Sequence, residues 1–290
     1  TASYNTAIGQ GTLVANTTGA NNTAVGYNAL DANVTGDSCT AVGMHALSAS
    51  TADSNTAFGY YSAADVTTGS YNTAIGRESN RQITTGQHNT AIGHQTIYSG
   101  TTCSNNTAVG SGALNSVTSS QNTGIGYAAL NALTSGAYNT AVGYAAADAA
   151  TEGERNTCVG NHSGGAITTG DKNTCVGMNS GDTITTGEKN ICIGNNSDVD
   201  SNDRVRATVI GEAAATIATD NTCRIIGDSG VYNSANNSTW STTSDRRIKK
   251  DIVDNTQGLE IINQIRVRNF NYRTEAEIDA PELQQYPVKD

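Results

Sequence analysis

Apolar residues along the chain fall singly, each in a fixed place within a short recurring phrase. Asn5-Thr6-Ala7-Ile8-Gly9 returns as Asn22-Thr23-Ala24-Val25-Gly26, and the phrase comes back again at Asn72–Gly76, Asn89–Gly93 and Asn139–Gly143. The glycine slot recurs at Gly9, Gly26, Gly43, Gly59, Gly76, Gly93, Gly110, Gly126, Gly143, Gly160, Gly177, Gly194, Gly211 and Gly227. Ten of these thirteen intervals are 17 residues and three are 16, so the period is strict. Such a unit is too short for a pair of helices. Thr-Ala-Val/Ile-Gly alternates as a strand does, with Thr and Val/Ile on one side and Asn, Ala and Gly on the other. About eight residues later stands a second turn signal, often Thr-Thr-Gly, as at Thr68-Gly69 and Thr186-Gly187.

Two short strands and two turns per unit predict one coil of a β-solenoid. A single coil cannot bury its own apolar face, but a stack can. The expected fold is therefore all-β: a parallel β-solenoid or β-roll of about fourteen coils of 16–17 residues, with one Val or Ile per rung inside. The repeat glycines meet a backbone need that a Cβ would block. The repeat asparagines are placed to bond local backbone and to form a ladder from coil to coil. Residues 1–230 are read as this shaft, 231–243 as a polar neck rich in Asn, Ser and Thr, and 244–290 as a different domain.

Composition agrees. Only 36% of the 290 residues are hydrophobic and 5% aromatic, which suits a thin core repeated many times. Charged residues are 14%, too few for a charge-driven disordered chain. The net charge of −10 argues against nucleic-acid partners. No apolar run is long enough for a membrane-spanning helix, and the first residues lack the pattern of a signal peptide. The sequence does not open on Met, as expected of a processed or partial chain.

Chemistry-bearing residues are few. Cys158, Cys175 and Cys192 stand 17 apart in the alanine slot and are expected to stack as small apolar packing; three in a row cannot all pair within one chain. Cys39 and Cys223 occupy the asparagine slot, and Cys103 lies in a turn. The four histidines show no metal-ligand spacing, so neither a metal nor another cofactor is expected. Tyr27, Tyr60, Tyr127 and Tyr144 all follow the repeat glycine; packing across coils is the plainer reading, stacking on sugars the sharper one. A glycan depolymerase would need paired carboxylates on one face, and acidic residues are not expected to share a slot across adjacent coils. An ice-binding array is disfavoured because Thr-Thr-Gly lies at turns.

The Asn-Thr-Ala-Val/Ile-Gly repeat resembles the heads of trimeric autotransporter adhesins, which implies a roll packed side by side with two copies of itself. Beyond the neck, Ser244-Asp245 with Lys249 five positions on is followed by an amphipathic segment over 258–265 and the strand-like Asn269-Phe270-Asn271-Tyr272. This resembles the start of the endosialidase-type intramolecular chaperone domain of phage tailspikes and tail fibres. Such domains run further than this chain does. The resemblance implies a small α+β segment that trimerises, assists folding and cuts before Ser244, at Thr243–Ser244. Ser244 would be the nucleophile and Lys249 its base, with Asp245 in support. The implied protein is a homotrimeric phage fibre, virion-borne and extracellular. It would bind other tail proteins and a host receptor, such as a glycan. A bacterial surface adhesin is the alternative.

Overall fold

A computed structural model describes residues 2–212, 220–225 and 231–233, the last three as backbone only. By compactness the chain divides into Thr1–Thr243 and Ser244–Asp290, and the described residues all belong to the first unit. They hold no helix and one sheet of fifteen strands, each three residues long and paired in chain order. Strands β1 (Thr6–Ile8) to β14 (Cys223–Ile225) run parallel, so each coil of the chain adds one rung. At about 4.8 Å per rung the stack from β1 to β14 is roughly 62 Å long. The expected solenoid is therefore present.

Its coil differs from the expectation in two ways. There is one strand per coil, not two. The rest of each coil is a string of turns, shaped by residues in the left-handed region at three fixed places. These are the second and fourth residues after the repeat glycine, as in His45 (φ 56°) and Leu47 (φ 50°), and the residue before the asparagine slot, as in Tyr71 (φ 61°). Non-glycine residues sit there only where neighbours over-determine the conformation. Here neighbouring coils supply that determination. The backbone N–H of Leu47 donates to the Ser62 carbonyl and that of His45 to the Tyr27 carbonyl, at 3.0 and 2.9 Å.

The second difference concerns which strand face is inside. The alternation is as expected, but the buried face is the alanine one. Ala24, Ala41, Ala57, Ala74, Ala91 and Ala108 are fully buried, while the flanking Thr and Val/Ile face outward; Phe58 is 44% exposed. The bulk of the core comes instead from the turns, at the fourth and seventh residues after the repeat glycine. In most coils one of these two places holds a large residue and the other a small one, although Ala147 and Ala150 are both small. Leu30, Leu47 and Ile97 stand opposite Asn33, Ser50 and Gly100, whereas Val66, Ile83, Ile167 and Ile184 stand opposite Ala63, Asn80, Gly164 and Gly181. Two coils carry a large residue at both places, Leu114 with Val117 and Leu130 with Leu133. In the second of these the strand alanine is replaced by Gly124, where a Cβ would sit 3.1 Å from Leu114 Cγ of the coil before; the first keeps Ala108. Where Cys158 and Cys175 replace the strand alanine, the turn residue shrinks to glycine, at Gly164 and Gly181. A Cβ on Gly164 would lie 2.5 Å from Cys158 Sγ. A close-packed interior fixes volume per coil rather than residue type.

The last parallel rung slips. Thr208 pairs with Cys223, Val209 with Arg224 and Ile210 with Ile225. This coil is 15 residues, not the 16 counted to Gly227, and Cys223 takes the threonine slot instead of the asparagine slot. Thr222 fills the latter: its carbonyl accepts the Thr208 N–H at 2.8 Å. The alanine slot thus falls to Arg224, which is only half-buried, and β15 (Val231–Asn233) pairs antiparallel. Loss of the small buried residue coincides with the end of the parallel stack.

The volume rule is testable. Gly164→Ala should destabilise the shaft by about 2–3 kcal/mol, through the clash with Cys158 and the left-handed backbone. Adding Cys158→Ala should return part of that, because alanines at both places beside a β-branched residue are already accommodated at Ala57, Ala63 and Val66. A coupling energy of about 1–2 kcal/mol in a denaturation cycle is expected; strict additivity would refute the compensation.

Candidate functional site

The repeat residues singled out by the sequence meet along one line. Each asparagine closes its own coil and seats the next. Asn139 is 1% exposed; its Nδ2 donates to the Gly153 carbonyl at 2.8 Å, and its Oδ1 accepts the Asn156 backbone N–H at 2.9 Å. The same pair of bonds is made by Asn22, Asn72 and Asn89, and Asn5 begins the series by accepting the Asn22 N–H. Beside this ladder the repeat glycines touch backbone to backbone. Gly93 has φ +137°, and a Cβ on it would lie 2.7 Å from the Gly110 carbonyl; Gly9, Gly26, Gly76 and Gly143 face their successors in the same way. These residues build the rod, and no reactive group stands among them.

Cys39 interrupts the ladder. Its N–H still donates to Asn22 Oδ1 at 2.8 Å, and its thiol takes over the amide's role by donating to the Ala52 carbonyl at 3.1 Å. For the Asn55 N–H of the following rung, sulfur stands in for the amide oxygen as the acceptor. Cys158, Cys175 and Cys192 lie in register on adjacent strands, as the spacing implied, and are free and buried. Hydrogen bonding with Cys158 raises the Cys175 thiol, and bonding with Cys175 raises Cys192, with burial acting in the same direction. Burial pushes Cys103 up to about 11. The Cys103, Cys175 and Cys192 thiols are thus shifted away from the lowered pKa of a nucleophile.

Carboxylates do recur at one slot, contrary to expectation. Glu154, Asp171 and Glu188 occupy successive coils, next to a column of cations at Arg155, Lys172, Lys189 and Arg206. They are engaged rather than poised. Glu154 meets Arg155 at 3.0 Å, Glu188 meets Lys189 at 2.9 Å, and Asp171 Oδ1 accepts the Glu154 N–H at 2.7 Å. A hydrogen bond from Lys189 holds Glu188 below the usual carboxylate range. An acid held ionised this way does not serve as a proton donor. Asp198 is raised by burial, but both its oxygens accept backbone N–H groups, from Thr183 and Val199 at 2.8 Å each.

The four tyrosines after the repeat glycines are all exposed. Tyr127 and Tyr144 stack from adjacent coils at 5.2 Å, Tyr27 meets His45 edge-on at 5.4 Å, and Tyr60 packs on Tyr61 at 4.5 Å. Inter-coil packing and outward exposure coexist, and Arg77, His94 and Ser111 break the ridge between the two groups. Among the described residues, no group of three or more His, Cys, Asp or Glu could hold a metal ion, and no helix is long and apolar enough to cross a membrane.

Thr243, Ser244, Asp245 and Lys249 lie outside the described residues, as do the expected helix over 258–265 and strand over 267–272. Comparison with known proteins bears on that segment. Residues 244–284 match the family described as the chaperone of endosialidase. No curated protein and no solved structure matches the chain.

Two measurements check the geometry of the shaft. Asn139→Ala orphans the Asn156 N–H and the Gly153 carbonyl, both buried, and should cost about 2–5 kcal/mol in a denaturant titration. Cys39→Asn replaces a weak sulfur acceptor with an amide oxygen and should gain about 1 kcal/mol. In thiol labelling at neutral pH, Cys39, Cys103, Cys158, Cys175 and Cys192 should react only after unfolding; rapid labelling of the native rod would contradict their burial.

Proposed function

We propose that the chain is a structural fibre subunit of a phage tail. A self-associating β-solenoid shaft is made by its first 230 residues or so, and folding is assisted by a C-terminal chaperone that then releases itself. The match of residues 244–284 to the endosialidase chaperone family, directly downstream of a long solenoid, carries this reading. Chaperones of this class serve β-rich stalks whose repetitive strands are slow to find a common register. The assembly is a homotrimer that projects from the particle, contacts other tail proteins, and brings a binding surface or tip to a host receptor. The mature protein acts on no diffusible substrate, in keeping with the engaged carboxylates of the rod.

The bond cut is Thr243–Ser244. Ser244 Oγ attacks the Thr243 carbonyl as Lys249 takes the hydroxyl proton, the Ser244 α-amino group leaves with that proton, and water then hydrolyses the resulting Thr243–Ser244 ester, giving the Thr243 carboxylate and restoring the Ser244 hydroxyl. Expression of the complete reading frame should yield a product whose denatured mass ends at Thr243. Ser244→Ala should abolish the cut and leave the full-length mass. An uncut wild-type chain would overturn self-release and leave the segment as a permanent cap.

A further inference from the structure

The outward face of the solenoid strands is a long apolar surface, and its composition differs from that of the other sides. Strands β1 to β13 (Thr208–Ile210) carry no charged residue at any position. Nineteen large hydrophobic side chains are exposed among the described residues, and seventeen of them fall between the residue before the asparagine slot and the residue after the repeat glycine. That stretch is only seven of about seventeen positions, so the clustering is well above an even spread. Ile75, Ile125, Val159 and Ile193 project from the strands; Tyr60 and Tyr144 flank them. Charges gather at the edge of this stretch, in the Arg155, Lys172, Lys189 and Arg206 column, and on the turns behind.

Contiguous apolar surface of this extent marks an interface. Its dimensions say how large. Twelve rung spacings of about 4.8 Å and a width of about five extended residues give roughly 800–900 Å², which is the share each partner contributes to a standard stable interface. Its periodicity says with what. Thr and Val/Ile repeat with the rung spacing, so side chains of another stack with the same spacing interdigitate along the whole length. A partner of irregular surface would match a few rungs and leave the rest wet. The second copy is also the partner that closed symmetry provides.

We infer that the Thr/Val/Ile face of β1–β13 is the surface by which copies of this chain pack side by side, with the asparagine ladder and the turn-derived core enclosed within each copy. This rests on the self-association proposed above and names the face that performs it. The tyrosines and the basic column form the rim of the contact.

Ile125 and Val142 are neighbours on adjacent rungs and point outward, so both can be changed without touching the enclosed core. The full chain carrying Ile125→Asp and Val142→Asp should lose its multimeric mass in sedimentation and keep its β-sheet circular dichroism. The milder pair Ile125→Ser and Val142→Ser should raise the dissociation constant at least tenfold, which keeps the test alive if the charged pair misfolds. Thr102→Asp with Ser135→Asp, exposed on the turns, should change nothing. An unaltered multimer in both strand-face variants would overturn the assigned face while leaving self-association intact. A monomeric wild-type chain would overturn the self-association reading itself, and the face with it.

Discussion

The architecture depends on how each coil is closed. Sixteen or seventeen residues of turn and strand must return to a point directly above their start, and no regular secondary structure enforces that return. The buried asparagine does. Its amide nitrogen reaches the carbonyl 14 residues on, as Asn156 reaches Gly170 at 2.7 Å, and so ties the end of a coil to its beginning. Its oxygen holds the N–H 17 residues on, as Asn156 holds Asn173 at 2.9 Å, and so fixes the height of the next coil. One side chain sets both circumference and pitch. The glycine contact follows from that pitch, since coils seated this closely bring backbones to the distance at which a Cβ has no room. The single threonine hydroxyls at the far turn, such as Thr134 donating to the Thr151 carbonyl at 2.9 Å, repeat the tie on the opposite side.

Given that frame, the core needs only the right volume. Strict period made the stack legible from the sequence alone, and Asn, Ala and Gly were assigned to one face correctly. The inside was assigned to the other face because Val and Ile are the usual currents of burial in a strand. Alanine won because the tie brings the strand close to the opposite turn, where a methyl or a thiol fills the gap in every coil of β1–β13 but those of Gly124 and Val209. The bulk then has to come from the turns. Leu30 and Ile97 were hidden from a periodic reading because the large residue moves between two places, and because they adopt a left-handed backbone that Leu and Ile seldom take. The slip at β14 was hidden for a simpler reason. Gly227 continues the spacing, whereas pairing follows the strand residues Cys223–Ile225.

Function was legible in a different part of the chain from the fold. The rod is built from residues with no reactivity, and its paired charges and buried thiols hold no poised acid, base or nucleophile. The segment from Ser244 carries the family match and the proposed chemistry, and its side-chain arrangement lies outside the described residues. What the shaft contributes is length and surface. A uniform strand face, turns rich in polar groups and a rim of aromatic and basic side chains suit a rod that meets its own copies on one side and water on the others.

The same uniformity gives a reason for the chaperone on this reading. Coils that are nearly interchangeable make a slip of one whole repeat cheap, both within a chain and between chains, because almost every contact is remade after the slip. The sequence resists the internal slip with irregularities. Two 16-residue coils, Cys39 in the ladder and Gly124 beneath Leu114 each fit one place in the stack. Between copies these devices are hidden, since the outward face of β1–β13 varies little more than Thr with Val, Ile or Phe. Alignment of copies therefore has to be imposed from outside the repeat, at one end, before the faces zip together. On the proposed function a trimerising segment downstream of the shaft would do that, and once the faces were locked in register its presence would no longer be required, which is the condition under which self-release costs the fibre nothing.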